Sequence, residues 1–120
     1  MKNRCVENLV QKKCKPCEGG VPALSSAQAE RFLKMLKGWK LVSNRIEKSY
    51  TFKDFVDASS WLEKIKFLAE AEGHHPDIHW TWNKITLVLW THSINGLSEN
   101  DFILAAKIDT LPVLVKETKK

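Results

Sequence analysis

Between Ile78 and Thr91, apolar and polar residues alternate with a period of two on both sides of a short polar break, Asn83-Lys84. Successive side chains of a strand point to opposite faces, so a stretch patterned this way folds as an antiparallel hairpin with one face turned from water. With Asn83-Lys84 as a two-residue loop, Trp82 faces Ile85, Trp80 faces Leu87 and Ile78 faces Leu89. Those six residues share one face, apolar throughout, which the rest of the chain must cover. The other face carries His79, Thr81, Thr86, Val88, Trp90 and His92. Extending the same ladder sets His75 opposite His92.

The cover is legible on either side. Ser25 with Gln28 three residues on is a capping-box signature ahead of Ala29, Phe32, Leu33 and Leu36, with Gly38 closing that helix. Trp39–Val42 and Arg45–Phe52 flank Ser43-Asn44 as a first hairpin, in which Ile46, Lys48, Tyr50 and Phe52 share a face. A second helix enters at Thr51–Asp54 and repeats Phe55, Ala58, Leu62, Ile65 and Ala69 at helical spacing, widened by Trp61 and Leu68. It must stop near Gly73, because Pro76 disfavours helical geometry at the residue before it. Ser98–Asp101 opens a last helix carrying Leu104, Ile108 and Leu111, with Pro112 as its stop. The order α-β-β-α-β-β-α predicts an α+β fold, a four-stranded antiparallel sheet with three helices packed on one face.

Composition bounds what such a domain does. At 120 residues it is one domain, large enough to bury a core without a disulfide or metal staple. The formal net charge is +5, yet residues 1–20 and 116–120 carry all of the excess: the stretch between them holds eleven basic and eleven acidic residues, out of totals of 19 and 14. Without a basic stripe the body has no face for a nucleic-acid duplex, and direct nucleic-acid binding is not expected. No apolar run reaches the length of a membrane span, so no membrane partner is expected either. The expected organisation is a polar N-terminal arm over 1–22, a domain over 23–115 and a basic tail over 116–120. Cys5, Cys14 and Cys17, an odd set, all lie in the arm, which argues for a reducing compartment, and the expected location is cytoplasmic. Cys14-Lys-Pro-Cys17 is a CxxC that suits zinc or redox work, with Cys5 as a third thiolate, but no second CxxC completes four ligands.

All four histidines fall within 74–92. Histidine both gives and takes a proton near neutral pH, and a cluster of imidazoles with a carboxylate suits a reaction that needs an acid and a base side by side. Each residue also has a plain structural reading. His79 reads as an exposed strand residue, His74-His75-Pro76 as a helix end, Glu70 as a solvated residue of the last helical turn, and Asp101 as the fourth member of a capping box. His75 and His79 have the i, i+4 spacing of a helical zinc site, but Pro76 argues against a helix across them. Trp90 is the tryptophan left free to stack on a flat ring, Trp80 and Trp82 being assigned to the core. Glycine-rich phosphate loops and nucleophile elbows are absent from the sequence, which disfavours nucleotide cofactors and serine or cysteine hydrolysis.

Glu70-x-x-x-His74-His75-Pro76, followed by Trp82, His92 and Asp101 at intervals of five, nine and eight residues, resembles the signature of the pterin-4a-carbinolamine dehydratase family. The similarity runs from about Leu24 to Leu111, and the CxxC arm lies outside it. The resemblance implies the same α+β fold and dehydration of 4a-hydroxytetrahydrobiopterin to quinonoid dihydropterin, a step that recycles the cofactor of aromatic amino acid hydroxylases. It implies that no metal or organic cofactor takes part. His74, His75 and His92 would be the catalytic residues, one protonating the departing hydroxyl and another taking the N5 proton. Glu70 and Asp101 would support them, and Gly73, Trp90 and Thr91 would border the pterin. It further implies a homodimer or homotetramer and a hydroxylase as functional partner. Two other readings stand beside it: a dimerisation or coactivator module for a transcription factor, as in animal relatives, and a zinc-binding accessory protein using the CxxC arm.

Overall fold

A computed structural model describes Leu9 and residues 23–111. Cys5, Cys14 and Cys17, Pro112 and the basic tail lie outside the described residues. The elements are α1 (Ser26–Leu33), β1 (Lys40–Val42), β2 (Arg45–Thr51), α2 (Phe55–Glu72), β3 (Asp77–Thr81), β4 (Lys84–Leu89), a single 3-10 turn (His92–Ile94) and α3 (Glu99–Asp109). The strands form one antiparallel sheet in the order β1-β2-β4-β3. This is the expected α+β layer, three helices against a four-stranded sheet.

Local chemistry accounts for most of the element ends. The Ser25 hydroxyl accepts from the Gln28 amide at 3.2 Å and the Gln28 side chain accepts from the Ser25 amide at 2.9 Å, a reciprocal cap that starts α1. The regular helix ends at Leu33, earlier than Gly38. The Met35 and Leu36 amides reach carbonyls three residues back, so the chain tightens into turns before β1. Asp54 caps α2, accepting from the Asp57 amide at 2.8 Å. The β1–β2 turn is Ser43-Asn44, as the sequence indicates, with Val42 opposite Arg45.

The second hairpin differs from expectation by one residue. Thr81 pairs with Lys84, so the loop is Trp82-Asn83, and Trp82 takes a positive φ of 50°. Long-range bonds select this register. Asn83 donates from its side chain to the Phe52 carbonyl and accepts from the Phe52 amide, both at 2.8 Å, which lets Lys84 enter the ladder opposite Thr51. Partners therefore slip by two positions. Ile78 faces Leu87 and Trp80 faces Ile85, and this even shift keeps the paired residues on their predicted faces. Two expectations fall: Trp82 is an exposed turn residue rather than core, and His75 is not opposite His92, because pairing ends at Asp77 with Val88.

Ile46, Tyr50, Ile85, Leu87 and Leu89 on one sheet face pack with Ala58, Trp61 and Ile65 of α2 and with Phe102, Leu104 and Ile108 of α3. Each fully buried aliphatic contributes about 1.5–3 kcal/mol. Leu9 joins this core from the N-terminal arm. Phe55 does not: it is 52% exposed at the start of α2, stacked on Trp80 with centroids 4.6 Å apart. At the far end of α3, Asp109 accepts from Trp39 Nε1, Lys48 Nζ and the Tyr50 hydroxyl, tying the helix to the sheet. Among the described residues no helix is long and apolar enough to cross a membrane.

Candidate active site

The end of α2 sets the first wall of the site. Gly73 is in the left-handed conformation (φ 68°); its amide bonds to the Glu70 carbonyl and the His74 amide to the Ala69 carbonyl. This is a Schellman ending, which turns the chain sharply away from the helix axis. A Cβ at residue 73 would meet no atom within 4 Å, so glycine is required there by conformation alone. The turn sends the His74 side chain inward, only 11% exposed, and leaves His75 at the surface, 58% exposed.

His74 Nε2 lies 2.6 Å from Asp101 Oδ1 in the first turn of α3. Asp101 is fully buried, and its other oxygen accepts from the Thr91 hydroxyl and the Ser98 amide, both at 2.9 Å. Because Thr91 spends its one hydroxyl proton on Asp101, the 2.7 Å contact between Thr91 and Ser98 must have Ser98 as donor. Ser98, Thr91 and Asp101 thus form a directed chain ending at His74. Opposite an ionised Asp101, which only accepts, His74 Nε2 carries the hydrogen and Nδ1 of the neutral ring is left to accept. Asp101 keeps its capping-box role and serves the imidazole as well: the structural and functional readings hold together.

The second wall is the segment after β4. Thr91 and Gly96 form an isolated bridge, with the Thr91 amide bonding to the Gly96 carbonyl at 2.7 Å, and this closes a small loop that presents His92. Gly96 is packed tightly, since a Cβ there would stand 2.7 Å from the Ala23 Cβ. His92 Nε2 stands 3.6 Å from Asp77 Oδ1, and its ring lies 4.1 Å from that of Trp90. At the rim, His75 Nε2 is 2.7 Å from Glu70 Oε2.

Gly73, His74, His75, Trp90, Thr91, His92, Ser93 and Asn100 line an open cleft of about 240 Å³. Every residue named from the sequence as catalytic or pterin-bordering lies on it, with Glu70 and Asp101 directly behind two of the imidazoles. His79 is exposed on β3 opposite Thr86, outside the cleft. Sequence reasoning missed Asp77, which accepts from Trp90 Nε1 at 2.8 Å and faces His92. It also missed Ser98 and Asn100 as site neighbours. No group of three or more His, Cys, Asp or Glu side chains among the described residues is arranged to hold a metal ion. The cleft brings three imidazoles together, each with a carboxylate within 4 Å.

Comparison with known proteins gives this arrangement a family. A protein of Nitrosomonas eutropha, provisionally named a pterin-4-alpha-carbinolamine dehydratase, is 45% identical over 112 residues, covering 92% of this chain and 97% of its own. A crystal structure from Brucella melitensis, described as a transcriptional coactivator/pterin dehydratase, superposes with a TM-score of 0.69 at 32% identity, over 72% of this chain and 95% of that one. A pterin dehydratase-like protein identified as a RuBisCO assembly factor shares the fold alone, with a TM-score of 0.50 at 21% identity, over 59% of this chain and 82% of its own. The family model for pterin 4 alpha carbinolamine dehydratase matches residues 22–111, a span that includes both walls of the cleft. The chain belongs to the pterin 4 alpha carbinolamine dehydratase family.

Proposed function

We propose that the cleft dehydrates 4a-hydroxytetrahydrobiopterin to quinonoid dihydropterin by histidine general acid–base catalysis, without a metal or organic cofactor. The observation that carries this reading is the convergence of three imidazoles on one cleft, each with a carboxylate at its Nε2. The reaction breaks the C4a–O bond and the N5–H bond and forms a C4a–N5 double bond. One imidazole, in its protonated form, hands a proton to the leaving hydroxyl, which departs as water. A second, neutral imidazole takes the N5 proton, and the electron pair freed at N5 completes the double bond. Acid and base must flank the substrate a few ångströms apart, which a cleft with histidines on two walls provides.

His74 has the fixed geometry, because Asp101 and its donors hold it. His75 and His92 sit at the rim, where solvent can restore their protons. Gly73, Thr91 and Trp90 border the ring. The physiological role that goes with this chemistry is regeneration of tetrahydropterin for an aromatic amino acid hydroxylase, in the cytoplasm, by a homodimer or homotetramer. A binding role beside catalysis draws on the Brucella melitensis relative, described as a coactivator as well as a dehydratase. Titration with an oxidised biopterin followed by amide NMR tests the site. Shifts are expected at Gly73, His74, Thr91 and His92; shifts confined to residues elsewhere would contradict the assignment.

A further inference from the structure

Two of the cleft imidazoles have carboxylates at hydrogen-bonding distance. The third, His92, has Asp77 at 3.6 Å, an ion-pair distance, and Asp77 is itself held from a second direction. Its Oδ2 accepts from Trp90 Nε1 at 2.8 Å, which turns Oδ1 toward His92 Nε2. The Arg45 guanidinium lies 4.0 Å from the centroid of the Trp90 ring, holding the indole that holds Asp77. The placement follows from the register. Asp77 faces Val88, so Trp90, two residues further along, is its diagonal neighbour on the same sheet face, and Arg45 enters from β2 on the other side.

We propose that Asp77 is the positioning residue of His92, locked by Trp90 and Arg45, and that it holds the His92 imidazole in the tautomer with its hydrogen on Nε2. This rests on the acid–base reading of the cleft and gives the carboxylate beside its third imidazole a role. Asp77 acts through His92 and touches no substrate. An ordinary edge-strand aspartate would tolerate an isosteric amide. A carboxylate that sets a ring's tautomer would not, because an amide presents its NH2 group as readily as its oxygen.

Asp77→Asn and Asp77→Glu, made in the full chain with 15N-labelled histidine, separate the two. In Asp77→Asn, the His92 ring-nitrogen signals are expected to move away from the Nε2–H pattern while those of His74 stay in place. Turnover is expected to fall about ten-fold or more, in the range seen when a carboxylate orienting an imidazole is lost. KM should stay within about two-fold, as befits a group that does not touch substrate. Asp77→Glu, which retains the charge, is expected to restore most of both. Unchanged His92 ring signals in folded Asp77→Asn would overturn the proposal. So would a loss of turnover that Asp77→Glu repairs without any change at His92. The ring-nitrogen readout needs no turnover, so it decides on Asp77 even if the chain catalyses no dehydration.

Discussion

His74 and Asp101, 27 residues apart in sequence, meet through an Nε2–Oδ1 contact of 2.6 Å at the place where the end of α2 faces the start of α3. The contact joins two helix-ending devices, the Schellman turn at Gly73 and the capping box of Ser98 and Asp101. The groups that terminate the helices are therefore the groups that build the cleft, and damage to one is felt in the other.

Asp101→Asn is expected to lose stability and activity together. The amide must turn an NH2 group toward the donors from His74 or from Thr91 and Ser98, leaving buried donors without an acceptor. A loss of about 2–4 kcal/mol in urea denaturation is expected, with turnover lower by ~10²-fold.

Histidine-to-alanine replacements should divide the cluster. His92→Ala is expected to reduce turnover by ~10²-fold or more, as for loss of a general acid or base. His79→Ala, on the exposed strand outside the cleft, should leave turnover unchanged. Steady-state kinetics of the two variants checks this, and equal losses would show that the site lies elsewhere.

Gly73→Ala isolates conformation from contact. With φ at 68° and no atom near a new Cβ, the cost is backbone strain, about 1 kcal/mol. Thermal melting should shift down by several degrees. Turnover should fall more than the small stability loss implies, because His74 and His75 leave the helix through this residue.

Tyr50, the only tyrosine, reports on alkaline unfolding. Burial, then the charge of Asp109 and its hydrogen bond, push the phenol well above its ordinary value of 10. The unfolded chain ionises at that ordinary value while the folded chain does not, so the unfolded state binds fewer protons above it. The stability contributed is fully present below about pH 10 and is lost as pH rises beyond it. Phenolate absorbance should therefore appear together with loss of circular dichroism, not ahead of it. Tyr50→Phe should flatten the fall in stability above about pH 10.

Helix starts and sheet faces were legible because they are local: Ser25 with Gln28, Asp54, and the alternation around Ile85, Leu87 and Leu89 depend on neighbours in sequence. The hairpin register was not. By pattern Asn83-Lys84 is the better turn, because a tryptophan seldom takes the positive φ that Trp82 adopts, and the choice rests instead on bonds from Asn83 to Phe52, 31 residues away. Asp77 was missed for a different reason: the expected ladder already sets it beside Trp90, but its approach to His92 depends on the turn that the chain makes after β4. Glu70, His74, His75, His92 and Asp101 could be grouped from the sequence through family resemblance. Spacing alone would not bring His74 to Asp101, because that contact depends on how α2 and α3 pack.

The most direct measurement follows the decay of the 4a-carbinolamine produced by a phenylalanine hydroxylase, with and without this protein, wild type and His74→Ala. The account predicts faster decay with the wild-type chain and, with folded His74→Ala, a return close to the uncatalysed rate. Decay at the uncatalysed rate with folded wild-type protein, or equal acceleration by both, would contradict it.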